Sequence, residues 1–517
     1  MYKQIPNEIP SSLSRLPELL KPSTLSFSEA EEVLASTPTP QHNSCNQAMA
    51  MAMPMPGSTA ALLHRPWRGP RLAPPLHLPH KQHFITPRAQ ASSSVDVLRT
   101  STPYASPFCP QVAEAVKVLL PEFMEIDGLV ATNINRVLDA YANARVGSHH
   151  FAGTTGYGHN DAGGREALDL AFANIVGSEA AIVRSQLYSG THAIACALYA
   201  ALRPGGELLA VAGAPYDTLE EVIGLRGSPR HGSLKEFGVS YRELPLHEDG
   251  GLDWHALETA IRPETQCALI QRSCGYSWRK TLTIAEIERA IIIIKAQNPD
   301  CVVVVDNCYG EFVETTEPTA VGADLMAGSL IKNPGGTIAP CGGYVAGKQE
   351  WVEAAAARLS APGIGMNAGS TSGEVMRLLF QGLFLAPQMV GESIKGGLLV
   401  AEVMAAEGYK VSPPPRVRRH DIIQAVQLGN RERLLAFCAA VQKRCPVGAY
   451  ILPVAGATSG YGDEVVFADG TFVDGSTSEL SCDGPLREPF VVFCQGGTHW
   501  AHWAIALEAV LEALKKL

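Results

Sequence analysis

The 517-residue chain is 46% hydrophobic and 18% charged, with a net charge of −10. That is the balance of a globular protein with room for several domains, and its acidity excludes nucleic-acid binding as the default. No apolar run reaches the roughly 18 residues of a membrane-spanning helix, and the twelve cysteines lack CxxC or Cys/His ligand spacing, so neither a disulfide frame nor a metal site is expected.

Charge is unevenly spread. Residues 1–95 carry eight Lys/Arg and five Asp/Glu, leaving thirty-three basic against forty-six acidic residues in the remainder. Met49–Val95 has no acidic residue, yet holds Arg65, Arg68, Arg71, Lys81 and Arg88 among Ser, Pro and Ala. Such a stretch reads as an organellar transit peptide, with processing near Thr86–Ser92. A plastid is the expected destination, with mitochondrion or cytoplasm as alternatives. Residues 1–48 contain Glu29, Glu31 and Glu32 and do not fit that pattern, which points to a start at Met49 or Met51.

From about Ser101 the pattern is globular. Residues 96–150 read as an N-terminal arm, 151–385 as a large domain and 386–517 as a small one. Strands are expected at Ala180–Val183, Leu208–Ala212, Val239–Leu246, Cys267–Gln271, Cys301–Val305, Leu325–Ile331 and Gly343–Ala346. Helices are expected at Ala193–Leu202, Leu219–Ile223 and, opened by the capping box Thr283–Glu286, to about Lys295. Met389–Ala405 reads as a long helix and Trp500–Leu514 as a final one. Alternating helices and near-continuous apolar strands imply an α/β fold, a mainly parallel sheet with helices on both faces. The C-terminal segment reads as a smaller α+β domain.

In such sheets ligands sit beyond the carboxyl ends of the strands, so the residues there are read together. Lys332 follows an apolar strand in a Gly-rich turn; burial lowers a lysine's pKa and makes it a nucleophile for carbonyl groups. Asp306 ends another strand and needs a cationic partner, for which a protonated pyridine ring is suited. Ser189, Gly190 and Thr191 open a helix, where backbone N–H groups hold a phosphate. Tyr216 follows the next strand and can stack on a flat ring. Each feature alone has a plainer reading: a solvated lysine, a turn aspartate, a helix cap, a packed tyrosine.

Together, in this order, these features resemble the fold type I pyridoxal-phosphate enzymes. The chain is most similar to the cystathionine lyase and methionine gamma-lyase group, in its aluminium-resistance branch. The resemblance covers roughly residues 110–515. It rests on Gly156–Asp161 with Gly164–Glu166, Tyr188–Ala193, Val305–Phe312 and Ser329–Gly336. It implies pyridoxal 5'-phosphate as cofactor, held covalently by Lys332, which would also move protons. Asp306 would pair with the ring nitrogen, Tyr216 would stack on the ring, and Ser189, Gly190, Thr191 and Ser329 would hold the phosphate. Tyr157 would reach the phosphate or substrate of a neighbouring subunit, or protonate a departing sulfur, so a homodimer or homotetramer with shared sites is expected. The arginine usual after that tyrosine is replaced by His159. Arg487 lies where a small-domain arginine would clamp the carboxylate of an amino-acid substrate. Gln271, Arg272 and Ser273 end a further strand, without an assigned role. The activity implied is a carbon–sulfur lyase; an aminotransferase or other amino-acid-transforming enzyme and a non-catalytic cofactor-binding protein are the alternatives.

Overall fold

Val302–Val305 are β-branched and buried along their whole length, the composition of an interior strand covered on two sides. The computed structural model describes residues 107–156, 161–367 and 369–517, and this valine run is the central strand of a seven-stranded sheet. The strands are β1 (Ala180–Arg184), β2 (Glu207–Ala210), β3 (Ser240–Glu243), β4 (Thr265–Gln271), β5 (Val302–Asp306), β6 (Leu325–Ser329) and β7 (Gly343–Gly347). Their spatial order is β1-β7-β6-β5-β4-β2-β3. The pairs from β3 to β6 are parallel, and the ladder sets Gln271 beside Asp306 and Asp306 beside Ala327. Strand β7 runs antiparallel to both β6 and β1. Only a 3-10 turn, Asn333–Gly335, lies between β6 and β7, so the chain doubles back instead of crossing over.

Alternate residues of one strand face opposite layers. Val303 and Val305 enter one apolar cluster, Val302 and Val304 the other. The first layer is built from α1 (Pro110–Asn143), α2 (Gly164–Val176), α5 (Ile284–Gln297) and α7 (Gly373–Ala406). The second is built from α3 (Gly190–Ala201), α4 (Asp217–Ile223) and α6 (Gln349–Leu359). Helices therefore cover both faces, as expected. The N-terminal arm contains α1, which begins with proline at its first position, where no N–H is needed. Helix α5 carries the expected capping box: Glu286 N–H donates to Thr283 Oγ1 at 3.0 Å and Thr283 N–H to Glu286 Oε2 at 2.8 Å.

Helix α7 begins sixteen residues before the expected Met389, at Gly373, and carries Pro387 in its interior. A proline breaks the pattern on paper, but tertiary packing on both sides holds the helix through it. The expected boundary at 385/386 thus falls inside a continuous helix. Beyond it, β8 (Lys410–Ser412), β9 (Gln424–Gln427), β10 (Val465–Ala468), β11 (Ser481–Pro485) and β12 (Val491–Gln495) form a second, antiparallel sheet in the order β8-β9-β12-β11-β10. Helix α8 (Arg431–Gln442) packs on this sheet, and α9 (Trp500–Leu514) packs against α7 and α8. Among the described residues no helix is long and apolar enough to cross a membrane. Tyr157, His159 and the leader of residues 1–95 lie outside the described residues.

Candidate active site

The carboxyl ends of β4, β5 and β6, with the turns after β1 and β2, open on one cavity of about 250 Å³. Ser189, Gly190, Thr191, Tyr216, Asp306, Ser329 and Lys332 all line it. Seven of the nine residues singled out in the sequence are therefore brought together.

Ser189 caps α3: its Oγ accepts the His192 N–H at 3.1 Å. Gly190 is pressed against Ser329, and a Cβ placed on it would lie 2.9 Å from the Ser329 Cβ. Only glycine permits that approach. Thr191 Oγ1 meets Thr218 Oγ1 at 2.8 Å, joining the starts of α3 and α4. Tyr216 N–H donates to Gln271 Oε1 at 2.7 Å. The tyrosine's turn is also braced by Arg279, a buried side chain that donates to the carbonyls of Ala212 at 2.6 Å, Ser273 at 3.0 Å and Cys274 at 3.1 Å. Of the residues ending β4, Gln271 and Ser273 line the cavity. Arg272 is turned away, donating to Asn307 Oδ1 at 3.0 Å and Glu314 Oε1 at 2.9 Å.

Lys332 Nζ stands 3.8 Å from the centre of the Tyr309 ring and 6.0 Å from that of Tyr216. Burial alone would push its pKa down, but the adjoining Cys308, Tyr309 and Asp306 side chains outweigh burial and the balance is upward. The sequence argument had counted only burial. Asp306 accepts the Cys308 N–H at 3.1 Å. Burial pushes its carboxyl up, opposed by Lys332 and the Cys308 N–H.

Sequence reasoning missed the opposite wall. Tyr461, Asp469, Ser476, Thr477, Ser481, Asp483 and Gln495 come from the second sheet and its loops. Tyr276 and Tyr309 complete an aromatic group in which Tyr216 Oη and Tyr461 Oη are 2.7 Å apart. Only Tyr309 lay within a motif quoted for the resemblance, and Asp483 within the stretch read around Arg487, without a role of its own. Arg487 is not among the lining residues. It pairs with Asp463 at 2.9 Å and donates to the Tyr276 carbonyl at 3.0 Å.

The residues present suit a phosphorylated pyridine ring. One end of the cavity has a helix N-terminus, the Ser329 hydroxyl and a floor at Gly190 that a Cβ would fill. Asp306 lies buried at a strand end, with Lys332 and Tyr216 in the same cavity.

A profile of the methionine gamma-lyase family matches residues 109–515. An uncharacterized Bacillus subtilis protein, YnbB, is 45% identical over 390 residues, covering 75% of this chain and 92% of its own. The chain superposes with TM-score 0.74 on a Clostridium novyi carbon–sulfur lyase involved in aluminium resistance, at 40% identity over 78% of this chain and 95% of that one. It superposes equally, at 42% identity over 78% and 99%, on a Listeria monocytogenes protein described as a candidate cystathionine beta-lyase involved in aluminium resistance. Family and fold imply pyridoxal 5'-phosphate as cofactor. The chain belongs to the methionine gamma-lyase family, carbon–sulfur lyases of the fold type I pyridoxal-phosphate class.

Proposed function

We propose that this chain binds pyridoxal 5'-phosphate and cleaves a carbon–sulfur bond in a sulfur amino acid of the cystathionine, methionine or cysteine type. The observation that carries this is the convergence of Lys332, Asp306, Tyr216 and the Gly190–Ser329 contact on one cavity. In this reading the start of α3 and the Ser329 hydroxyl bind the phosphate, Asp306 holds a proton on the ring nitrogen, and Tyr216 fixes the ring plane. When bound, the cofactor supplies an electron-withdrawing ring that takes up the electrons left when a proton departs from the substrate Cα. Lys332 Nζ is the group that anchors the cofactor and then takes that proton. Arg487 exchanges Asp463 for the substrate carboxylate, so Arg487→Lys raises KM while leaving the cofactor in place.

Cofactor binding is tested by visible absorbance before and after borohydride. The expected result is a yellow protein, bleached by reduction, with the label on Lys332; Lys332→Ala is colourless. A wild-type protein that stays colourless with added pyridoxal phosphate overturns the reading. Release of a keto acid, ammonia and a thiol separates a lyase from an aminotransferase.

The acid-free, arginine-bearing Met49–Val95 stretch supports import into a plastid, tested by fusing residues 49–95 to a fluorescent reporter. That the described residues at this end of the cavity offer a phosphate only hydroxyls and backbone N–H groups supports a homodimer or homotetramer in which Tyr157 of one subunit reaches its neighbour's site. Sedimentation of Tyr157→Phe, with its cofactor affinity, tests that assembly.

A further inference from the structure

The cavity has two walls of different origin. The wall that suits the cofactor comes from the seven-stranded sheet. The facing wall, from the second sheet, carries four buried polar atoms without a hydrogen-bond partner among the described residues: Ser476 Oγ, Thr477 Oγ1, Ser481 Oγ and Asp483 Oδ1. Buried polar atoms are normally paired. Four together on one wall of the cavity that Lys332 also lines mark the place where a ligand's own polar group sits.

Asp483 is the titratable member. Its Oδ2 accepts the Gln495 Nε2–H at 2.9 Å. The Tyr276 phenol also hydrogen-bonds this carboxyl, and Oδ1, which has no geometric partner among the described residues, is the oxygen with room for a proton. Burial raises its pKa to about 7, Asp469 adding to the rise while Tyr276, Gln495 and Lys332 oppose it.

We infer that Asp483 is the acid that delivers a proton to the departing sulfur. The inference rests on the lyase reading above. As the carbon–sulfur bond breaks, its electron pair stays on sulfur, and the Asp483 Oδ1 proton forms the S–H bond of the released thiol. Asp483 is left as a carboxylate, which solvent reprotonates before the next turnover. The proton leaving the substrate Cα goes separately to Lys332.

Acid strength favours Asp483 over its neighbours. An ordinary thiol has a pKa of roughly 8.5, so a carboxyl near 7 is a stronger acid than the thiol it makes. The phenols of Tyr216, Tyr276 and Tyr309 are pushed further above their usual 10 by burial, and they would have to give up a proton uphill. Tyr216 Oη is in addition engaged with Tyr461 Oη.

The test compares wild type and Asp483→Asn on two probes, S-ethyl-L-cysteine and S-(4-nitrophenyl)-L-cysteine. An ethanethiolate needs a proton to leave; a nitrothiophenolate does not. The expected result is a loss in kcat/KM of about 100-fold or more on the first, the range of general acid catalysis, and less than about tenfold on the second. Equal losses on both overturn the role of Asp483. A second readout needs no turnover. Infrared difference spectra of the wild-type protein between pH 6 and pH 8 should contain a protonated-carboxyl band that Asp483→Asn lacks, and no such difference overturns the inference. Colour separates the two levels of argument. A yellow, borohydride-sensitive wild type with equal losses sinks only the acid, whereas a colourless wild type sinks the lyase reading itself.

Discussion

Lys332 Nζ lies 3.8 Å from the centre of the Tyr309 ring, and Tyr309 reaches that position from a left-handed backbone at φ +71°. The ring is thus held under the amine at a conformational cost, because a side chain with a Cβ is disfavoured there. The two effects can be separated by substitution. Tyr309→Phe keeps ring and strain and should retain cofactor affinity. Tyr309→Ala loses the ring and keeps the strain. Tyr309→Gly loses both, and should be more stable than Tyr309→Ala by about 1 kcal/mol in urea denaturation. Equal stability of the alanine and glycine variants would show that no strain is stored.

Gly190→Ala inserts a Cβ 2.9 Å from the Ser329 Cβ. Something must move where the phosphate would bind, while the rest of α3 keeps its packing. The variant should fold, with near-normal circular dichroism, and bind pyridoxal phosphate at least about tenfold more weakly, a loss of roughly 1.4 kcal/mol. Spectral titration with the cofactor measures it. Unchanged affinity would place the phosphate elsewhere.

Glu311 is a buried acid beside the site. Tyr344 Oη donates to its Oε1 at 2.6 Å, and burial raises its pKa from 4.5 to about 8. The folded state therefore holds a proton that the unfolded state releases. Stability is greatest below about pH 4.5 as far as this group is concerned, and falls as pH rises from there to about 8. Glu311→Gln should remove that slope and exceed wild type in stability at pH 8, by on the order of 1 kcal/mol or more. Urea midpoints of both proteins at pH 6 and pH 8 check this. A wild-type midpoint that rose over this range relative to the variant would contradict it.

Arg279 makes its bonds to backbone carbonyls on two turns. Arg279→Met leaves the Ala212 carbonyl buried and unpaired, at about 1–3 kcal/mol, whereas the Ser273 and Cys274 carbonyls keep the Gln271 Nε2–H and Ser277 N–H donors. The expected outcome is a loss of about 1–3 kcal/mol in stability, with weaker cofactor binding because the Tyr216 turn is released. Denaturation and spectral titration of the same preparation report the two effects.

The cofactor wall was legible in the sequence because each of its residues follows a strand that could be recognised. Val302–Val305 announces Asp306, and Leu325–Ile331 announces Lys332. The strand-end rule then makes them neighbours. The opposite wall was not legible. Ser476 and Thr477 stand in a turn-rich stretch, and Ser481 and Asp483 in strand β11, whose Ser-Cys-Asp-Gly-Pro sequence carries no apolar alternation to announce it. Helix α7 was half-read for a local reason. Pro387 ends a helix in isolation, whereas here the helix is buried along most of its length. The upward balance at Lys332 was also hidden, since it depends on Cys308 and Tyr309 lying close in space.

The glycines behind Lys332 set limits on how this protein can diversify. Gly335 and Gly336 let the turn after the lysine meet Gly382 of α7 backbone to backbone, with no room for a Cβ on any of the three. The same helix then runs on to pack against strands β8, β9 and β12 of the second sheet. A single rod thus fixes the height of the lysine and carries the far wall. Of that wall, Ser478 is tied to the seat of the amine, its hydroxyl donating to the Lys332 carbonyl at 2.9 Å, so the positions to exchange are those beside it. Mutational libraries aimed at new leaving groups belong at positions 476, 477 and 481, which line the cavity, and lineages that vary there can inherit the same proton chemistry.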